Sequence, residues 1–488
     1  MSARTAFLCL FLVLSACGGG SSGNSNSGNN APIGEAPFAP EDVIPRSEKP
    51  SGGIPSLLCN RVDAAPVGLQ EVSREDVGER SLRITFFSAA MGREESAVIT
   101  YPENYDPSPQ TPYPVFYLLH GSTADAMYWI DNGVEDILRP YEVITVTPDG
   151  GPQGKYVDFY GLPRLADEAA IAPAWETFHI KELMPFIEAN FPVRSDTAGR
   201  AIAGPSAGGY GATKYASMHP QLFGAVGSFS GGLNTTYQYP LLPIVYYLGQ
   251  LPNLAPGNDA DACAWGDPIT DKVLWMGNDP AYLVENLRGK RLYITSGDGT
   301  IGELEEPEDY VTAPVELVTY LNTQFYIEQL DRYGLDYEAK FYAGTHIVEY
   351  WLREVDLFLA GQASYWDQEI SRPASFNYRT IYNEFDAWGW YFAINRNVDE
   401  FLYFRDISIS GFDVSGTGVL EVLTAPLYEP AREYLVSVND QTQTVTASAS
   451  GRLAFDVDIA PSSMFSQIDF SQQAEDGFPV ATVTIVEQ

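Results

Sequence analysis

The stretch Ala201-Ile202-Ala203-Gly204-Pro205-Ser206-Ala207-Gly208-Gly209-Tyr210 decides how this chain folds. An apolar run leads into Gly-x-Ser-x-Gly, and small residues flank the serine on both sides. A serine displayed on a sharp strand-to-helix turn needs neighbours without bulk, because the strand end and the helix start pass close together there. Tyr210 to Met218 then reads as a helix. With strand, turn and helix in order, the motif predicts an exposed nucleophile at Ser206 rather than a chance match in a glycine-rich chain.

The surroundings extend this pattern. Val115–Leu119, Val143–Val146, Arg200–Ala203, Leu292–Thr295 and Ala339–Tyr342 read as buried strands. Trp175–Asn190, Tyr210–Met218, Val315–Arg332 and Val348–Leu359 read as helices. Strands alternating with helices predict a mostly parallel sheet covered on both faces. With the serine turn inside it, the expected fold is that of an α/β-hydrolase. From about residue 372 the texture changes to short alternating runs, such as Gly418-Val419-Leu420-Glu421-Val422, broken by Gly, Pro, Asn and Asp. This is an all-β, sandwich-like reading. The expected domains are a catalytic one over 56–368 and a β-rich accessory one over 369–488.

A serine needs a base. The chain holds four histidines, His120, His179, His219 and His346. In this fold the base lies C-terminal to the nucleophile, in the order Ser, acid, His. His219 precedes Pro220 at the end of the elbow helix, a place for capping carbonyls. His346 follows a strand and precedes a helix, where a sheet-edge base belongs, and is the expected general base. Two backbone amides should form the oxyanion hole. The expected donors are Ala207, directly after the nucleophile, and Ser122, in the loop that ends Leu118-Leu119-His120-Gly121-Ser122. For the acid, Asp298 lies just past a strand and Glu316 opens a helix after Pro314. Position after a strand favours Asp298, but Asp-Gly turns and helix-start glutamates are both common without catalysis, so the residues alone leave the two open.

The net charge of −36, from 28 Lys+Arg against 64 Asp+Glu, repels phosphate backbones and excludes nucleic acid as a partner. No His-Glu-x-x-His and no clustered His/Cys pattern is present, so neither metal nor cofactor is expected. At the N-terminus Arg4 precedes the apolar run Ala6–Leu14, which is too short to span a bilayer. Leu14-Ser15-Ala16-Cys17 then resembles a bacterial lipobox. Residues 1–17 read as a lipoprotein signal with Cys17 as the lipidated residue, and 18–55 as a Gly/Ser/Asn/Pro linker. The expected location is that of an exported lipoprotein, membrane-anchored (on the outer membrane in a Gram-negative host) or extracellular. Of the four cysteines, Cys59 and Cys263 remain as a candidate disulfide in an oxidising compartment.

These stretches together resemble an esterase family that includes S-formylglutathione hydrolases, feruloyl esterases and the antigen 85 mycolyltransferases. The resemblance spans about residues 60 to 360. It rests on Tyr113-Pro114-Val115 through His120-Gly121, on Trp175-Glu176-Thr177 with Glu182-Leu183, and on the serine elbow. It also rests on His219-Pro220 with Phe223, and on Gly344-Thr345-His346 with Glu349-Tyr350-Trp351. The β-rich tail is similar to the C-terminal extension of exported bacterial esterases in the same group. Two departures bear on the acyl pocket. Ala207 stands where the family often has Met, and Ser122 where antigen 85 proteins carry a bulkier apolar residue. In the antigen 85 group the acid is a Glu at a helix start, about 30 residues before the histidine and downstream of a Gly-Asn-Gly-Thr loop. Here Gly297-Asp298-Gly299-Thr300 occupies that loop. The resemblance therefore selects Glu316 as the triad acid, with Asp298 as the alternative.

The expected function is hydrolysis of a small-molecule or polymeric carboxylic ester through an acyl-enzyme. One alternative is an acyltransferase that passes the acyl group to a sugar or lipid hydroxyl. Another is a non-catalytic binding module. Trp388, Trp390 and Tyr391 are candidates for carbohydrate contact by the C-terminal region, although clustered aromatics in a short sandwich more often fill its own core.

Overall fold

The computed structural model describes residues 56–164, 171–237, 263–304, 307–439, 441–462 and 477–488. The signal, Cys17 and the linker to residue 55 lie outside the described residues. In chain order the strands up to residue 342 are β1 (Cys59–Arg61), β2 (Leu69–Asp76), β3 (Ser81–Ser88), β4 (Arg93–Thr100), β5 (Val115–Leu118), β6 (Ile144–Pro148), β7 (Gly161–Pro163), β8 (Arg200–Pro205), β9 (Ala225–Phe229), β10 (Arg291–Gly297) and β11 (Glu338–Tyr342). Three helices matter for the site: α1 (Ala207–Met218), α2 (Ala313–Arg332) and α3 (Val348–Gln362).

Among the described residues, nine strands form one mixed sheet in the order β11-β10-β9-β8-β5-β6-β4-β3-β2. From β6 to β11 every neighbouring pair is parallel, and β4, β3 and β2 continue it antiparallel. Side chains alternate faces along a strand, so β5 can cover both layers. Val115 and Tyr117 pack with Ile202, Val226, Leu292 and Ile294 beneath Trp175, Phe178 and Tyr210. Phe116 and Leu118 pack on the other face with Ala201, Ala203 and Ala225 against Trp129, Val355 and Phe358. Near-continuous apolar strands follow from burial on both faces.

The predicted helix over Trp175–Asn190 is broken in character. Thr177–Leu183 is a π-helix, and Met184–Asn190 is α-helical. The wider turn coincides with inward-facing polar side chains. Glu182 accepts the amides of Gly68 and Ala90 and the hydroxyl of Ser88.

Cys59 and Cys263 form a disulfide across 204 residues, with Cα atoms 5.9 Å apart. It fastens the β1–β7 ribbon to the segment resuming at residue 263. After α3, extra sheets follow, one of six strands and one of four, all antiparallel. They share one apolar cluster built on Trp390, Phe392, Phe404, Phe412, Leu420 and Val457. Trp390 is 1% exposed and stacks on Phe392, so it presents no ring to a ligand. Trp388 and Tyr391 are half-buried.

Candidate active site

The turn after β8 holds Ser206 at φ 52°, ψ −119°, a backbone conformation that costs a non-glycine residue free energy and collects at functional sites. The surrounding chain over-determines it. The Ser206 amide donates to Phe229 O at 2.9 Å, and its carbonyl accepts the amides of Tyr210 and Gly232. A Cβ on Gly208 would lie 2.7 Å from the His120 carbonyl oxygen, so the elbow closes only with glycine at that position.

Because β8, β9, β10 and β11 are adjacent and parallel, the segments leaving their C-terminal ends meet at one edge of the sheet. Ser206 follows β8, Ser230 follows β9, Glu316 lies in the first turn of α2 beyond β10, and His346 lies in the loop after β11. Nδ1 of His346 is 2.5 Å from Oε2 of Glu316. Oε1 of Glu316 accepts the Gly297 amide at 2.5 Å, the Ser230 hydroxyl at 2.6 Å and the Ser296 hydroxyl at 3.2 Å. Glu316 is fully buried, and donors of this kind are what allow a carboxylate to stay charged there. The His346 amide donates to Thr312 Oγ1 at 3.1 Å, and its ring stands edge-on to Trp351 with centroids 4.9 Å apart. These contacts orient the imidazole and leave Nε2 for proton transfer with a nucleophile.

Among the described residues, Asp298 makes no hydrogen bond to His346. Its Oδ1 accepts the amide and hydroxyl of Thr300, at 2.9 and 2.5 Å, in a local turn. Partial burial raises its pKa, but the two Thr300 donors outweigh that and hold it below the usual aspartate range.

On the opposite side, Ser122 and Ala207 converge on Gly154. A Cβ there would lie 2.8 Å from Ala207 Cβ and 3.8 Å from the Ser122 nitrogen. Ala207 opens α1, so its amide has no intrahelical partner. The Ser122 hydroxyl donates to Gln153 O at 2.9 Å, and the Thr123 amide to Pro152 O at 2.6 Å. The loop after β6 therefore backs the oxyanion loop. The sequence motifs around Ser206 and His346 single out neither this loop nor Ser230. Asp149-Gly150-Gly151-Pro152-Gln153-Gly154, glycine-rich directly after a strand, was the available signal for the first. Nothing in the local sequence distinguishes Ser230.

The remaining histidines have structural partners. His120 Nε2 accepts the Gly150 amide at 2.8 Å, so its proton sits on Nδ1, facing Gly121 O. His179 donates from Nε2 to Asp149 O and accepts the Tyr215 hydroxyl at Nδ1, and burial pushes its pKa down to about 4. His219 caps no carbonyl with its ring. Its Nε2 meets Oε1 of buried Glu176 at 2.8 Å, a partner 43 residues earlier that helix-end position could not reveal. Lys214 of α1 pairs with the other oxygen of Glu176. Tyr382, from the C-terminal region, accepts from Lys214 and donates to Glu176, both at 2.7 Å.

Known proteins share stretches of this sequence. The chain is 29% identical over 303 residues to Esterase Rv1288 of Mycobacterium tuberculosis, a match covering 61% of each chain. It thus spans less than two thirds of that relative. It is 30% identical over 248 residues to the diacylglycerol acyltransferase/mycolyltransferase Ag85A of Mycobacterium leprae, covering 49% of this chain and 71% of the relative. A solved ferulic acid esterase matches with a TM-score of 0.44 and 21% identity, over 58% of this chain and 98% of that one. Residues 88–358, more than half of the 488-residue chain, match the family model described as "Putative esterase", and the chain belongs to that family.

Proposed function

We propose that this protein is a serine carboxylic-ester hydrolase working through a Ser206–His346–Glu316 triad. The observation that carries the reading is the Glu316–His346 pair, 2.5 Å apart at the sheet edge that also receives the strained Ser206. Ser206 Oγ attacks the ester carbonyl carbon while its proton passes to Nε2 of His346. Glu316 stabilises the imidazolium that forms. The carbonyl oxygen becomes an oxyanion facing the amides of Ala207 and Ser122. Collapse breaks the ester C–O bond, and the alcohol leaves with the proton from Nε2. Water then repeats the sequence on the acyl-Ser206 ester and releases the carboxylic acid.

The experiment is turnover of p-nitrophenyl, feruloyl and acetyl-sugar esters by the parent, Ser206→Ala and His346→Ala. Each variant should lose roughly 10⁴-fold or more in kcat, and the double variant should lose little beyond that. Turnover or fluorophosphonate labelling that survives Ser206→Ala rejects the triad.

The 30% identity to a mycolyltransferase supports a second reading, acyl transfer. Both reactions share the acyl-enzyme and differ in the acceptor. An added sugar alcohol that diverts the acyl group from water into a new ester at the same Ser206-dependent rate would favour transfer.

The Leu14-Ser15-Ala16-Cys17 motif and the tether behind it support an exported, lipid-anchored enzyme. Loss of membrane fractionation in Cys17→Ala is the expected result. The two antiparallel sheets around one apolar cluster support a β-sandwich accessory domain over about 369–488.

A further inference from the structure

Ser230 carries a strain that its own backbone does not need. It sits at φ 52°, fully buried, directly after β9, with its amide donating to Thr295 O at 2.7 Å. A glycine would adopt this conformation at lower cost. The serine side chain must therefore contribute something, and its hydroxyl donates to Oε1 of Glu316 at 2.6 Å while also lying in reach of the Tyr342 hydroxyl. The other side-chain donor to that oxygen is weaker. Ser296 Oγ is 3.2 Å away and lies closer to Gly297 O, at 3.0 Å, so its one proton is shared between two acceptors.

We infer that Ser230 is a positioning residue of the triad, whose hydroxyl fixes Oε1 of Glu316 so that Oε2 faces His346 Nδ1. The inference rests on reading Glu316 as the triad acid.

The physical consequence is a pH effect. The active state of the pair is the carboxylate beside neutral imidazole, with a charge of −1. The inactive state carries one more proton. A donor on Oε1 stabilises the more negative state, so removing it makes the pair hold that proton to higher pH. Tyr342 and Asp298, beside the pair, are displaced in opposite directions away from this window. Tyr342, on β11, is pushed up by burial and by the neighbouring Glu316 and Glu354 charges, and stays neutral. Asp298, on the β10 side, is held low and stays ionised. Arg353 of α3, over the Tyr342 ring, is always charged, and Glu354 is taken up by Tyr293 and Arg353.

The test compares kcat/KM against pH for the parent, Ser230→Ala and Ser230→Gly with one p-nitrophenyl ester. Alanine keeps the strain and removes the hydroxyl, and glycine removes both. Both variants should move the acid limb up by about one pH unit and lower plateau kcat on the order of 10-fold, with KM little changed. Glycine should not rescue either effect although it relieves the backbone. If alanine does not fold, the glycine variant decides alone. An acid limb within about 0.2 unit of the parent overturns the inference, and so does a glycine variant with parental kinetics. Failure of the underlying reading looks different, because turnover then survives Glu316→Gln in the parent.

Discussion

Oε2 of Glu316 lies 2.5 Å from Nδ1 of His346, while Oε1 of the same carboxylate accepts the Gly297 amide and the Ser230 hydroxyl. Both oxygens are engaged, so the carboxylate cannot rotate without losing two donors or the imidazole. That fixes the histidine tautomer with its proton on Nδ1 and its lone pair on Nε2.

Replacing Glu316 by Gln keeps shape but offers an amide that can donate to Nδ1 and stabilise the wrong tautomer. Turnover of p-nitrophenyl acetate should fall by roughly 10²- to 10⁴-fold. Asp298→Asn keeps an oxygen for Thr300 and should stay within about 2-fold of the parent in kcat, with any loss appearing in thermal stability. The reverse pattern in two folded variants would move the acid to Asp298.

Gly154→Ala tests the backing of the oxyanion loop. The new methyl would meet Ala207 Cβ at 2.8 Å, and φ is +59°. Displacement of either amide donor should reduce kcat by on the order of 10- to 100-fold. Gly133 provides the control, with φ +80° and nothing within 4 Å of its Cβ. Gly133→Ala should cost about 1 kcal/mol in urea unfolding and leave kcat unchanged. Equal kinetic losses in both would mean that backbone strain, not the collision, is responsible.

The buried Glu176 tests the polar seam between α1 and the C-terminal region. Burial raises its pKa, but Lys214 and His219 more than offset this and hold it well below the usual range. A depressed folded-state pKa contributes stability above the unfolded value, about 4.3, that is lost as pH falls below it. Glu176→Gln should therefore flatten the acid limb of stability. It should also cost about 3–5 kcal/mol at pH 7, because Lys214 stays buried with its charge uncompensated. Glu176→Gln with Lys214→Met should recover most of the loss. Equilibrium unfolding in urea at several pH values reads all three.

The disulfide closes a 204-residue loop. Chain-entropy arguments put the stabilisation from a loop of that size at up to about 5 kcal/mol. Cys59→Ser with Cys263→Ser should lower Tm, and reductant should lower the parent's Tm toward the variant's while leaving the variant unmoved. A parent insensitive to reductant in the unfolding transition would show that the bridge contributes nothing.

What the sequence determined by itself was local. The elbow around Ser206 was legible because strand, turn and helix are contiguous and the steric demand for small residues is written into ten consecutive positions. Four of the core strands were legible for the same reason, since Val115–Leu118, Ile144–Pro148, Arg200–Pro205 and Arg291–Gly297 are short apolar runs between turns. His346 emerged by elimination among four histidines. The tertiary structure decided which distant groups meet. Position after a strand favoured Asp298, and the family resemblance favoured Glu316. In the structure α2 lies against the loop after β11 and puts Glu316 on His346 across 30 residues of chain, while Asp298 closes on Thr300 two residues away. The π-helical turn over Thr177–Leu183, the Glu176–His219 pair, the Gly154 wall and the Ser230 donor share this origin. Each depends on side chains from separate strands or helices arriving at one point, and a one-dimensional pattern carries the periodicity of each element but not the register in which they pack.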